Sequence, residues 1–220
     1  MNRRCHVVAA VAIFCLLCIT QSAIAGSIVG WGGNDNGQAT PPVGNKFMDI
    51  AAGWLHSLAL RSDGSIVGWG NNRSGQATPP DGNDFIAIAA GWHHSLALKS
   101  DGSIVGWGNN YHGQAIPPDG NDFTAITAGG SHSLALKTDG TIAGWGNNDH
   151  GQATPPSGNN FVAIAAGGYH CLAIREPCQY VLTGDLNDDC KVNLYDFTKM
   201  AENWLIDCRQ EPNDPACTPK

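Results

Sequence analysis

Short apolar and alternating runs, separated by Gly, Pro and Asn, make up most of this chain. Phe85–Ala90 is a continuous apolar run, and His94–Lys99 alternates between apolar and polar residues. An Asp-Gly pair then leads into the strand-like run 103–107, which is the pattern of a tight hairpin. The Gly-, Pro- and Asn-rich stretch 109–121 predicts a surface connection. Because no window here has a helical period, the pattern predicts about three short strands.

This pattern occurs four times with a period of 38 residues. The units 27–64, 65–102, 103–140 and 141–178 align without a gap, and the second and third differ at eight positions. Repetition at such a period indicates a repeat architecture, in which each unit packs against its neighbours. The sequence therefore predicts an all-β fold, a β-propeller-like array of four three-stranded units at 26–176.

The repeated residues also carry a family resemblance. The spacing Gly-Trp-Gly-x-Asn-x-x-Gly-Gln, then Ala-Gly-x-x-His-Ser-Leu-Ala-Leu, then Asp-Gly, resembles the regulator of chromosome condensation repeat. The short bacterial form, as in beta-lactamase inhibitor protein II, is closer still. The resemblance covers residues 27 to about 175 and implies the blades of a β-propeller, whose well-known members close with seven. With four units, a four-bladed ring, an open arc and two chains sharing a ring all stay open.

The two ends of the repeat region bear on closure. The first unit begins with a strand-like run at 27–31 that has no upstream hairpin partner. The fourth unit ends with a run at 169–174 that has no downstream partner. These runs are complementary halves of one hairpin, and pairing them would remove two exposed edges. We expect them to pair, either within one chain or between the two chains of a homodimer.

Two residue types recur at fixed places in the units and could carry chemistry. The histidines suggest either a metal-binding ring or a strand-start residue that hydrogen-bonds within its own unit. The tryptophans each follow a glycine, which indicates packing between units. A serine follows three of the histidines, but neighbouring strand residues point to opposite faces, so we expect no enzyme. The positions are His56, His94, His132 and His170, and Trp31, Trp69, Trp107 and Trp145.

Positions that change between units form two loop slots. The first slot holds Asp35-Asn36, Arg73-Ser74, Tyr111-His112 and Asp149-His150. The second slot holds Trp54-Leu55, Trp92-His93, Gly130-Ser131 and Gly168-Tyr169. Variable loops on a repeated scaffold are a usual binding surface, although neutral drift after duplication explains the variation equally well.

Residues 1–25 have the pattern of a signal peptide. Arg3 and Arg4 precede an apolar run at 7–19, and Ala23-Ile24-Ala25 is a small-x-small cleavage site. We therefore expect an extracellular or cell-surface protein with no membrane span after cleavage. Loss of the two arginines takes the formal net charge from −7 to −9. So acidic a chain, with no basic cluster, excludes nucleic acid as a partner.

The composition changes in the tail, 177–220, where side-chain oxygens recur at odd spacings. The stretch predicts a calcium loop with a helix after it, because a hard cation needs several oxygens wound around one point. The predicted ligands are Asp185, Asn187, Asp189 and Asp196 with their side chains and Lys191 with its backbone carbonyl.

This calcium-loop/helix module resembles the type I dockerin repeat through Asp-x-Asn-x-Asp-x-x-Val-Asn-x-x-Asp. The resemblance implies calcium as cofactor and a cohesin-like protein partner. Two departures are evident, since dockerins carry two such units and Cys190 stands where glycine is usual.

The cysteines after the signal peptide concentrate in this tail. A helix over about 194–205 would be roughly 18 Å long, too long for the few residues before Cys208 to return to Cys190. We therefore predict the disulfides Cys178–Cys208 and Cys190–Cys217. Cys171, in the last repeated strand, is predicted to be a buried free thiol.

Together these features predict a secreted or surface-attached, non-catalytic binding scaffold. Its repeat loops would bind a protein partner or a surface glycan, and its calcium-dependent tail would serve attachment or assembly. Two alternatives stay open at this point. One is an auxiliary subunit of an extracellular polysaccharide-degrading complex, recruited by dockerin-cohesin docking, and the other is an inhibitor of an extracellular enzyme.

Overall fold

The computed structural model describes residues 25–176, which are all-β. Within this range the strands are β1 (Phe47–Ala52), β2 (His56–Arg61), β3 (Ile66–Gly70), β4 (Phe85–Ala90), β5 (His94–Lys99), β6 (Ile104–Gly108), β7 (Phe123–Ala128), β8 (His132–Lys137), β9 (Ile142–Gly146), β10 (Phe161–Ala166) and β11 (Cys171–Arg175). The described range contains no helix that is long and apolar enough to cross a bilayer.

The strands form antiparallel sheets in chain order. Sheet 1 is β1-β2-β3, sheet 2 is β4-β5-β6, sheet 3 is β7-β8-β9 and sheet 4 is β10-β11. Each three-stranded sheet takes two strands from one sequence unit and the third from the next unit. The prediction of four three-stranded units is thus confirmed for three sheets, and the described part of sheet 4 has two strands. The stretch 109–121 lies outside the strands, as predicted.

The predicted Asp-Gly hairpins join the second and third strands of each complete sheet. In sheet 2, the Asp101 carboxylate accepts hydrogen bonds from the backbone N–H and hydroxyl of Ser103, at 2.9 and 2.6 Å. Gly102 has φ +84°, a left-handed conformation that glycine adopts without strain. These bonds fix the register in which Ser95 lies opposite Trp107 and Leu96 lies opposite Gly106.

The apolar core lies between neighbouring sheets. Between sheets 1 and 2, Leu58 and Leu60 pack against Phe85 and Ile88. Trp107 covers this cluster, and Trp145 packs in the same way against the cluster of sheets 2 and 3. The predicted packing of tryptophans between units is therefore confirmed for Trp107 and Trp145, whereas Trp31 is 85% exposed and does not pack in this way. Each sheet is held through its neighbour, as expected of a repeat array.

The two ends of the array do not meet within one chain. Residues 27–31 form no strand, and an isolated bridge joins Gly26 to Phe47 beside them. At the other end β11 pairs with β10 and, within the described residues, with no other strand. The predicted pairing of 27–31 with 169–174 inside one chain is therefore wrong for this structure. Its interchain form stays a prediction.

Several predictions fall on other parts of the chain. The signal-peptide residues before Ala25 lie outside the described residues, and so do the two tail disulfides. The same holds for the proposed calcium ligands Asp185, Asn187, Asp189, Lys191 and Asp196.

Candidate functional site

Buried histidines link each sheet to the next one. His56 Nε2 lies 2.9 Å from Ser95 Oγ, and His94 Nε2 lies 2.9 Å from Ser133 Oγ. In the third junction, His132 Nε2 lies 3.0 Å from Cys171 Sγ. The expectation that each histidine bonds within its own unit is therefore wrong. Each partner lies 39 residues further along the chain, one residue more than the repeat, and so belongs to the following unit.

The hydrogen bonds around Ser95 determine the protonation of His56. The Ser95 hydroxyl donates to the Gln76 carbonyl at 2.9 Å, so the His56 Nε2–H must donate to Ser95 Oγ. His56 Nδ1 is then unprotonated, and it has no hydrogen-bond partner among the described residues. Burial lowers the pKa of His56 to about 4 and that of His94 to about 3, so both rings are neutral at physiological pH.

These histidine-hydroxyl pairs are structural contacts. His94 and Ser133 are completely buried, so their reactive atoms cannot meet a substrate. A metal-binding ring is not supported either, because the Nε2 atoms of His56, His94 and His132 already bond the next sheet. Within residues 25–176, no group of three or more His, Cys, Asp or Glu side chains is placed to hold a metal ion.

Cys171 occupies the serine position in the fourth unit. It is a free thiol, as predicted, but it is half-buried rather than buried. Burial raises its pKa. Ser95, by contrast, is completely buried, because β6 runs beside it with Trp107 opposite, whereas the described part of sheet 4 has no third strand beside Cys171.

Glycine turns bring the inner ends of the sheets together. The Trp54 N–H donates to the Gly91 carbonyl and the Trp92 N–H donates to the Gly129 carbonyl, each at 3.3 Å. A Cβ at Gly91 would lie 2.5 Å from the Gly129 carbonyl oxygen, so only glycine fits at this close approach. These contacts place the second-slot residues side by side on one rim of the array.

On this rim, side chains from three units form a continuous row of rings. Trp54 packs between His93 at 5.2 Å and Trp92 at 5.7 Å, measured between ring centroids. Tyr169 meets Trp92 edge to face at 5.1 Å and His150 at 5.6 Å. We call these five residues the aromatic surface. Trp54 and Tyr169 are 59% and 56% exposed, which is unusual for side chains of this size.

The row depends on small residues in the intervening unit. Trp92 belongs to the second unit and Tyr169 to the fourth, so the Trp92 indole must cross the third. A Cβ at Gly130 would lie 3.1 Å from the Trp92 ring, and one at Gly168 would lie 3.2 Å from it. Larger side chains there would push the indole away. Second-slot residues of different units therefore pack together on this rim.

The two slots meet at one point. His150 comes from the first slot and reaches Tyr169 of the second, a contact between loops that the sequence does not indicate. The other first-slot rings lie apart from the aromatic surface. Tyr111 packs on His112 at 5.0 Å, and Asn147 Nδ2 lies 3.4 Å from His112 Nδ1.

A family model described as the Regulator of chromosome condensation (RCC1) repeat matches residues 49–76, 85–114 and 123–152. Each match runs from the first strand of a sheet into the loop after its third strand. The repeats are of the RCC1 type. This confirms the resemblance of the repeated motifs, at the three places where complete sheets occur. No curated protein sequence matches the chain.

Several solved structures are similar in fold to part of this chain. The ectodomain of the Physcomitrella patens receptor kinase CR4 is 26% identical with a TM-score of 0.58, covering 67% of this chain and 44% of that one. Prp20p from Saccharomyces cerevisiae is 19% identical with a TM-score of 0.56, covering 79% and 54%. The ectodomain of the Arabidopsis thaliana receptor kinase ACR4 is 26% identical with a TM-score of 0.50, covering 59% and 46%. The chain thus spans about half the length of these structures.

Proposed function

We propose that this chain is a non-catalytic binding protein, secreted or attached to a surface, whose aromatic surface holds a protein partner. The row of rings from His93 to His150 is the observation that carries this proposal. Tryptophan and tyrosine are enriched among the residues that dominate protein interfaces. The RCC1-type relative Prp20p is described with binding properties towards Gsp1p and histones, which are proteins. Two of the similar structures are receptor ectodomains, which supports a place outside the cell.

The chemistry of the rim favours a protein over a surface glycan. A small ligand needs polar groups beside the apolar rings to fix its orientation. Here the Trp92 ring lies against Gly130 and Gly168, and the Gly130 N–H is already bonded to the Gly168 carbonyl at 3.1 Å. An aromatic row with bonded backbone beneath it suits the apolar centre of a protein interface.

The single variants Trp54→Ala and Tyr169→Ala, each immobilised, should no longer recover the partner. The partner is first identified from extracellular proteins, and its dissociation constant is then measured by calorimetry. We expect each variant to weaken binding at least about 30-fold, the effect of losing one dominant contact. Tyr111→Ala and Ile116→Ala are matched controls, because both side chains are exposed and lie outside the aromatic surface.

Equal recovery by the Trp54→Ala variant and the native chain would contradict a protein site at the aromatic surface. Binding of a glycan array that is lost in Trp54→Ala, without any protein partner, would assign the surface to a glycan instead.

We further propose that the tail binds one calcium ion and serves attachment or assembly. The support is the loop spacing in the sequence, with Asp185 at position 1. In calorimetry of the full chain, Asp185→Ala should remove the heat of calcium binding, because a first-position carboxylate is lost. Asp188→Ala is the control, since Asp188 falls at loop position 4, between ligands. Equal heats in the native chain and Asp185→Ala would contradict the site.

The dockerin-like spacing gives the tail a specific candidate partner, a cohesin-like protein. The chain would then be an auxiliary subunit of an extracellular polysaccharide-degrading complex. An overlay of cohesin domains, with calcium and with chelator, tests this role. Calcium-dependent cohesin binding supports this role. If the tail binds calcium but no cohesin, the tail attaches the chain to a different partner. If the partner recovered by the aromatic surface is an extracellular enzyme, assays with and without this chain would show whether the chain inhibits it.

A further inference from the structure

The face formed by β11 is uncovered, although the same face is buried at every inner junction of the array. Leu172 and Ile174 are 66% and 61% exposed. The residues at the same positions of the second unit, Leu96 and Leu98, are 0% and 1% exposed because sheet 3 follows them. The β11 face therefore has the apolar residues of an inner junction, but no sheet of the described residues packs on it.

The opposite end of the array has the strand-like segment and the apolar residue that such a junction needs. The Phe47 N–H donates to the Gly26 carbonyl at 3.2 Å, just as the Phe85 N–H donates to the Gly64 carbonyl before β3. Residues 27–31 are therefore placed before sheet 1 as β3 is placed before sheet 2, in the position of a third strand of a preceding sheet. Among residues 25–176 no strand pairs with them, and Trp31 is 85% exposed.

The apolar contacts at the two ends also match. At an inner junction, Ile88 of one sheet packs on Leu58 and Leu60 of the preceding sheet and is 8% exposed. Ile50 holds the position of Ile88 in sheet 1 and is 62% exposed, because no sheet precedes sheet 1 in the described part of the chain. Ile50 therefore fits the uncovered pair Leu172 and Ile174.

We propose that the β11 face of one copy of this chain binds the 27–31 and β1 face of a second copy. Residues 28–32 then become the third strand of the partner copy's sheet 4. The pairing of β5 with β6 gives the register, in which Cys171 lies opposite Trp31 and Ala173 lies opposite Val29. The Trp31 indole donates to the Gln152 carbonyl, as Trp107 donates to Gln76 at 2.9 Å.

Two copies complete this arrangement. A head-to-tail contact closes into a ring when its rotation allows, and two copies bring eight sheets together. Propellers have about four to eight blades, so a third copy would exceed that range. A second copy supplies both the third strand, residues 28–32, and the isoleucine of the junction, Ile50. For this reason it is favoured over residues 177–220 of the same chain.

The first test measures the mass of the full chain by sedimentation over a range of concentrations. We expect a dimer that Leu172→Asp weakens at least about 100-fold, because the carboxylate would be buried in an apolar junction. Ile116→Asp is the control, an exposed apolar residue away from both ends, and it should leave the dimer intact. Circular dichroism checks that both variants are folded. A native chain that stays monomeric up to about 1 mM overturns the proposal, as does a dimer that survives in Leu172→Asp.

The second test traps the register through the native thiol of Cys171. In Trp31→Cys, oxidation should give a covalent dimer in which peptide mapping finds the introduced thiol bonded to Cys171, since directly opposite strand residues are close enough. Ile28→Cys is the control, because its side chain leaves the strand on the other face. The same bond formed within one chain would show that the ring closes by itself and would overturn the proposal.

Discussion

Lowering the pH from 6 to 5 should lower the free energy of unfolding by about 2 to 3 kcal/mol. Burial lowers the pKa values of His56, His94 and His132 below the ordinary value near 6.5. Between 6.5 and the folded values, the unfolded chain binds protons that the folded chain does not. Stability therefore rises with pH in this window and is lost as the pH falls. Each such proton contributes up to about 1.4 kcal/mol per pH unit.

Urea unfolding at several pH values measures this slope. The variant His94→Gln removes one of the linked protons, so its slope between pH 6 and 5 should be about one third to one half smaller. The carboxylate of Asp101 does not interfere, because its pKa is lowered by the hydrogen bonds from Ser103 and its titration lies below this window. Equal slopes in the native chain and His94→Gln would show that the buried imidazole is not the linked group.

Replacing Leu96 by alanine should lower the free energy of unfolding by about 3 kcal/mol. The side chain is completely buried between Ala89 of β4 and Gly106 of β6, so its removal leaves a cavity that small neighbours cannot fill. Leu172→Ala makes the same change at the same position of the fourth unit, where the side chain is 66% exposed. We expect this control to cost less than about 1 kcal/mol.

Both leucine variants are compared by chemical unfolding at a protein concentration too low for self-association. Equal losses in Leu96→Ala and Leu172→Ala would contradict the difference in burial between an inner sheet and sheet 4.

Local pattern was sufficient to predict the strands and their hairpins. Alternation in His94–Lys99 and the Asp-Gly turn after it depend on contacts within one hairpin, and the structure has both. The same turn also predicts the phase of the sheets. It joins the last run of one unit to the first run of the next, and so places Ile66–Gly70 in the sheet of the preceding unit, as observed.

Contacts between sheets were harder to predict than contacts within them. The partner of His94 is Ser133, 39 residues away, and this offset follows from how whole sheets stack. The two variable slots were identified from sequence, but the meeting of His150 with Tyr169 needed the folded loops.

The series of histidine-hydroxyl contacts has a consequence for how the number of repeats can change during evolution. The second and third units each bring a histidine that bonds forward and a serine that receives the bond from behind, and Cys171 of the fourth unit receives the bond from His132. A duplicated unit inserted between two others would therefore supply one half of each new contact and find the other half already in place. Gene duplication can lengthen or shorten this array in whole units without any compensating substitution in the interior.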